Sequence, residues 1–218
     1  MELNFWKERW ENGEIGFHQS EFSPYLDKFW DSLSVNAGGT VFVPMAGKSS
    51  DMIWFVQQGY SVVGVEISNL AVDAFFSENE LQHRIEECSR FRTYISENIE
   101  MHCGDFFQLT EKDLSSVTAV YDRASLIALP PSMRDAYATH LKKILTPQSK
   151  ILLVTMEYSQ SEMSGPPFSV TQSEIEKYYQ DEFEITLLNS TDILAENAQF
   201  KKRGLTHLNE NVYSLVRR

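Results

Sequence analysis

The stretch from Val41 to Ser68 constrains this chain more than any other. A short apolar run, Val41-Phe42-Val43, ends in the turn Pro44-Met45-Ala46-Gly47-Lys48-Ser49. A helical pattern follows from Asp51 to Gly59, and a second apolar run, Val62-Val63-Gly64-Val65, ends in Glu66. Strand, glycine turn, helix, strand and acid, in that order, form the unit that holds the adenosine half of a cofactor at the edge of a parallel sheet. Glu66 lies nineteen positions after Gly47, close to the spacing of roughly 20 at which a carboxylate meets a ribose diol. A carboxylate has two acceptor oxygens and the diol two adjacent donors. An ordinary βαβ unit with a solvated strand-end acid fits the spacing equally well.

The turn narrows the ligand. A phosphate loop of the Walker A kind needs Gly five residues before Gly47, where this chain has Phe42. Nor is the turn a GxGxxG fingerprint, because Pro44 and Met45 occupy its early positions. A pyrophosphate wants several open backbone amides, and proline supplies none. The expected ligand is an adenosine without phosphates, and S-adenosylmethionine fits that description.

Alternation of strand and helix patterns continues through the chain. Helical patterns recur at 69–80 and 132–145, and strand patterns near 99–102, 117–121 and 151–155. This predicts one α/β domain over 1–218, with a mostly parallel sheet and helices on both faces. Two last apolar runs, 183–188 and 211–216, have no clear helix between them and are expected to pair antiparallel. Residues 1–35, with an aromatic helix over Phe5-Trp6-Lys7-Glu8-Arg9-Trp10 and a second near 24–33, read as a helical lid. No apolar run approaches the ~20 residues of a membrane helix. The first residues lack the basic-then-apolar order of a signal peptide. With the separate cysteines Cys88 and Cys103, this gives a cytoplasmic expectation. The net charge of −12 disfavours nucleic acid. No metal-ligand set, HExxH or GxSxG occurs. Nothing requires an oligomer, so a monomer is expected.

Three further clusters carry chemistry. Asp105, in Cys103-Gly104-Asp105-Phe106-Phe107, follows a strand and is placed to meet an adenine amino group, with Phe106 flanking the ring; a short-turn cap explains Asp105 as well. Asp122-Arg123 ends another strand in an apolar setting, where a charged pair is costly unless paired or used. The functional reading is an Arg123 cation facing an anionic substrate with Asp122 beside it; the plain one is a structural ion pair. Trp10 and Phe17 present faces that attract a cation such as a sulfonium, or they simply pack the helix.

Taken together and in order, these segments resemble the thiopurine S-methyltransferase family, particularly its bacterial members. The matching stretches include Phe5 to Trp10, Gly16-Phe17-His18-Gln19, Val43 to Met52, Val62 to Ser68, Gly104 to Phe107, Asp122-Arg123-Ala124, Gly165-Pro166-Pro167-Phe168 and Arg203-Gly204-Leu205. The resemblance implies a class I methyltransferase fold, Rossmann-like, moving a methyl group from S-adenosylmethionine to an aromatic or heterocyclic thiol. It implies cofactor contacts at Trp10, Met45, Glu66 and Arg123, with Trp6 and Phe17 in the closing segment and Asp105 near the adenine. The chain departs from the family's usual Pro-Leu-Cys-Gly-Lys at Met45-Ala46, and has Gln199 where relatives commonly carry arginine. The latter loss bears on how an anionic substrate is held. Three other readings stand beside it: the same fold acting on selenium or tellurium compounds, a nicotinamide oxidoreductase, and a binding protein without turnover.

Overall fold

A computed structural model describes residues 4–218. Residues 1–3 of the expected lid lie outside the described residues. The chain builds a nine-stranded sheet around a parallel centre. Strands β1 (Thr40–Val43), β2 (Ser61–Glu66), β5 (Ile99–Cys103), β6 (Val117–Asp122) and β7 (Lys150–Glu157) are joined side by side in parallel, in the order β5-β2-β1-β6-β7. Their near-continuous apolar runs are what a strand covered on both faces requires. The hairpin β3 (Arg84–Glu87) and β4 (Arg92–Ile95) extends one edge through an antiparallel β4–β5 pairing. At the other edge β9 (Asn209–Arg217) runs antiparallel between β7 and β8 (Phe183–Asp192). The two last apolar runs therefore do pair antiparallel. A short helix, α8 (Ala198–Lys202), lies between them where none is legible in the sequence.

Helices cover both faces. On one side α2 (Pro24–Phe29) with the 3₁₀ turn Trp30–Leu33, α3 (Asp51–Gln57) and α4 (Asn69–Glu78) bury Leu26, Trp30, Phe55, Phe75 and Phe76 against Val41, Val62 and Tyr121. On the other side the short α5 (Ser125–Ala128), α6 (Pro131–Ile144) and α7 (Gln172–Tyr179) bury Leu126, Tyr137, Leu141, Ile175 and Tyr179 against Phe42, Val120 and Leu153. Phe42 and its neighbours Val41 and Val43 thus enter opposite cores, the period-2 alternation of a central strand. α1 (Asn4–Glu11) buries no residue of its own and lies against α4. The region expected to be one helix near 24–33 is α2 followed by the 3₁₀ turn, which closes at Ser34 in a left-handed conformation. Among the described residues no helix is long and apolar enough to cross a membrane.

One buried ion pair fastens the α6–α7 layer. Arg134 is fully buried, with Nη1 2.8 Å from both carboxylate oxygens of Glu174 and Nε donating to the Leu129 carbonyl at 3.0 Å. Glu174 keeps about a quarter of its side chain exposed and hydrates easily if released. The guanidinium cannot. Replacing Glu174 by Leu therefore strands a buried cation and is expected to cost about 3–5 kcal/mol in urea unfolding. Adding Arg134→Met to that variant should restore most of the loss. Two simply additive losses would contradict this account.

Candidate active site

The carboxyl ends of the parallel strands lie along one edge of the sheet, where a doubly wound fold forms its crevice, and the turn after β1 lies at its centre. Met45 there takes φ +48° and Gly47 φ +55°, the left-handed region that a non-glycine residue adopts only when its surroundings hold it. The turn is held by its neighbours. Ala46 N–H donates to the Val65 carbonyl at 2.9 Å, and Gly47 N–H donates to Glu66 Oε2 at 2.8 Å. Glu66 Oε1 accepts from Ser68 N–H at 2.9 Å, where α4 begins. One acidic side chain thus brackets the turn after β1 and the turn after β2. Burial raises the Glu66 carboxyl above the usual carboxylate range, opposed by the backbone donors Ser68, Gly47 and Ile67.

Most amides of this turn are unavailable: Pro44 has none, and those of Ala46, Gly47 and Ser49 are bonded within the protein, which leaves no run of adjacent open amides of the kind a pyrophosphate loop offers. What is available is a buried carboxylate that its three backbone donors leave with acceptor capacity to spare. The indole of Trp10 covers the turn so closely that a Cβ on Gly47 would lie 3.3 Å from it. Phe17 packs edge-on to both Trp10 and Trp6, with centroids 5.6 and 5.4 Å away, yet remains half exposed. The aromatic segment therefore lies over the first turn.

At the end of β5, Gly104 N–H donates to the Glu66 carbonyl at 2.9 Å, so Asp105 follows directly beside the Glu66 strand end. Asp105 Oδ1 accepts from Phe107 N–H at 3.0 Å and caps the short 3₁₀ turn Phe106–Gln108. Phe106 does not flank the crevice as expected. Its ring is buried against Tyr137 and His140 at 4.8 and 5.2 Å, because the turn directs it into the α6 core.

The Asp122-Arg123 expectation also needs correction, because the two side chains part. Asp122 is fully buried, accepting from Tyr137 Oη at 2.6 Å and Ser125 N–H at 3.1 Å. It has no face on the crevice and anchors the strand end instead. Arg123 pairs with Asp51 at the start of α3, Nη1 to Oδ2 at 2.7 Å. The same Oδ2 accepts from Tyr121 Oη at 3.1 Å, and Oδ1 accepts from Ser23 N–H at 2.7 Å. Arg123 Nη2 donates to Gln19 Oε1. Asp51 was not singled out in the sequence, where it reads as an ordinary first-turn acid. Beyond β7, Tyr158 Oη donates to the Pro167 carbonyl at 2.6 Å and holds the Gly165–Phe168 loop. Gln199 is exposed on α8.

The sequence profile of the thiopurine S-methyltransferase (TPMT) family matches residues 1–218. The chain belongs to the thiopurine S-methyltransferase family. It is 49% identical to the thiopurine S-methyltransferase of Nitrosospira multiformis over 218 residues, covering 100% of this chain and 99% of that one. Against the thiopurine S-methyltransferase of Azotobacter vinelandii the identity is 43%, with both chains fully covered. The solved 1,6-didemethyltoxoflavin-N1-methyltransferase of Burkholderia thailandensis, which holds 1,6-didemethyltoxoflavin and S-adenosylhomocysteine, matches with a TM-score of 0.65 at 14% identity, covering 99% of this chain and 87% of that one. A SAM-dependent methyltransferase from Anabaena variabilis gives the same TM-score and identity, covering 99% and 95%. The fold is that of a class I methyltransferase.

In this TPMT-family site, the buried Asp122 makes a testable pH signature. Burial pushes its carboxyl up to about 6 from 3.8, against the bonds from Tyr137 and Ser125. A raised carboxyl binds its proton more tightly in the folded chain, so the stability tied to it is lost as pH rises from about 4 through 6. The difference is worth roughly 3 kcal/mol. Asp122→Asn removes the titration. Its stability relative to the unsubstituted chain should therefore improve from pH 4 to pH 7 by about that amount in chemical denaturation. A constant difference across this range would contradict the assignment.

Proposed function

We propose that this chain transfers the methyl group of S-adenosylmethionine to the sulfur of an aromatic or heterocyclic thiol, thiopurines among them. The observation that carries this reading is the bracketed Glu66: a buried carboxylate placed as a diol acceptor, at a turn without a run of adjacent open amides for a phosphate. That arrangement fits an adenosyl group and disfavours a pyrophosphate-bearing dinucleotide at the same turn. When bound, S-adenosylmethionine supplies a methyl group activated by a cationic sulfur.

The residues divide the work along the crevice. Glu66 accepts from the ribose hydroxyls, Asp105 faces the adenine edge, and Met45 supports the adenosyl group from its turn. Trp10 and Phe17 cover the cationic side, where aromatic faces favour positive charge. The N-terminal segment is the lid. It is tied down through Ser23 to Asp51 and through Gln19 to Arg123. Arg123 orients the acceptor sulfur with the arm that now meets Gln19, while Asp51 fixes its other arm. Asp122 positions the strand end beneath Arg123. Methyl transfer to a thiolate merges opposite charges, so its demands are alignment and exclusion of water, which a closed lid meets.

Replacing Glu66 by Ala should weaken binding of S-adenosylhomocysteine more than tenfold in calorimetry, since buried hydroxyls lose their acceptor. In the unsubstituted chain that affinity should also fall at acid pH. The raised Glu66 carboxyl protonates earlier than an ordinary one and then offers the diol fewer lone pairs. Equal affinity in the Ala variant would refute the ribose assignment.

Arg123→Ala should lower turnover of acidic aryl thiols by about 10–100-fold, the worth of a charge-assisted hydrogen bond to the sulfur. Unchanged kinetics with a labelled methyl donor would remove Arg123 from this role.

A further inference from the structure

The acceptor half of the crevice is built by three adjacent strand ends, and strand alternation decides which side chains reach it. Tyr121 of β6, Leu152 and Val154 of β7, and Val212 of β9 all belong to the core on the α2–α3 side. Leu152 pairs with Tyr121 and Ser214, Val154 with Val212, and Met156 with Glu210. Side chains two apart on a strand share a face. The residues that continue this face to the crevice are therefore Arg123 after β6, Met156 on β7 and Glu210 on β9. Because β9 runs antiparallel, its first residues, not its last, lie at this end.

Glu210 is a carboxylate where the expected substrate is an anion. It is half-buried, and Tyr25 of α2 reaches it as a side-chain hydrogen-bond partner. Arg123 and Glu196, the latter from the loop before α8, are the other charged groups that act on it. Arg123 offers no spare charge to balance it, since Nη1 is committed to Asp51 at 2.7 Å. An acceptor arriving as an anion would meet Glu210 and Glu196 with only this compensated arginine in its favour. An acceptor arriving neutral would find a carboxylate free to take its proton. Burial raises the Glu210 carboxyl, with Tyr25 and Arg123 pulling it back and Glu196 adding to the rise. A raised carboxylate is a better match in basicity to a thiol.

We propose that Glu210 is the general base of this site and selects neutral, protonated acceptors. The proposal rests on the methyltransferase reading above. The S–H bond of the acceptor breaks and its proton passes to a Glu210 oxygen. A sulfur lone pair forms the new bond to the methyl carbon, and the bond from that carbon to the donor sulfur breaks with its electrons left on the departing thioether. Glu210 then returns the proton to water. Tyr25 is a positioning residue that holds the carboxylate toward the crevice from the lid side.

The test compares two acceptors with labelled methyl donor. Pentafluorothiophenol is ionised throughout the working range, and phenylmethanethiol is neutral in it. Glu210→Gln should lose about 100-fold or more in kcat/KM on phenylmethanethiol, the usual worth of a positioned base. It should hold or gain on pentafluorothiophenol, where no proton need move and a negative charge has gone. In the unsubstituted chain kcat/KM for the neutral thiol should fall as pH drops below the Glu210 pKa. Tyr25→Phe should move that limb to higher pH, because the lost hydrogen bond had favoured the ionised carboxylate. Calorimetry with S-adenosylhomocysteine checks that each variant retains its fold. Equal losses on both thiols, or none on either, would overturn the role of Glu210 while leaving methyl transfer standing. If the unsubstituted chain methylates neither thiol, both readings fall.

Discussion

A single carboxylate, Asp51, joins the parts that the site requires. It is almost fully buried, where an unpaired charge would cost several kcal/mol. Its oxygens meet that cost with three donors from three separate elements: the Ser23 amide before α2, the Tyr121 hydroxyl on β6 and the Arg123 guanidinium after it. Within the N-terminal segment α1 buries no residue of its own, while α2 and the 3₁₀ turn seat Leu26, Trp30 and Leu33 in the core. Asp51 adds the polar tie between that packed part and Arg123, so one desolvated acid at a helix start links the position of the lid to the direction of the arginine.

Glu66 does the corresponding work on the cofactor side. Its carboxylate ties the turn at Gly47, nineteen residues before it, to the turn that follows it at Ser68, and the strained Met45 backbone sits in the first of them. Without that brace the turn after β1 would have an orphaned amide at Gly47 and a left-handed Met45 with less to hold it. Preorganisation explains why the same acid is both structural and available. Ser68, Gly47 and Ile67 take part of its acceptor capacity, and what remains is offered to a hydroxyl in the proposed cofactor complex. The Trp10 indole packed on Gly47 adds a steric reason for glycine at that position.

Much of the parallel centre was legible because its strands are buried on both faces and read as unbroken apolar runs. The β3–β4 hairpin was not. Its outer strand, Arg84-Ile85-Glu86-Glu87, is exposed at every position and carries the charges that keep a sheet edge from pairing with other chains. No alternation survives there to be read. α7 was missed for a related reason, since only Ile175, Tyr178 and Tyr179 mark its buried face within eight residues. The site divides likewise. Glu66 is legible from local spacing, whereas Asp51 acquires its meaning from partners 28, 70 and 72 residues away. Asp122 and Arg123 looked like a pair because they are adjacent, yet adjacent strand residues point to opposite faces. That alternation sends one into the α6 core and the other to the crevice.

The same alternation settles the electrostatics of the acceptor side. A net charge of −12 gives the molecule a field that repels anions at long range, screened beyond roughly 8 Å in physiological salt. Attraction for an anionic sulfur must then come from close contact, and the cation that acts on Glu210, Arg123, is already committed to Asp51. With Glu210 on the same face two strands away, the local charge does not turn positive. Such a site discriminates in favour of an acceptor that enters neutral and becomes an anion only as its proton leaves. In the proposed reaction the arginine would stabilise charge that develops at the sulfur, and a lid closed over it would make that hydrogen bond worth most.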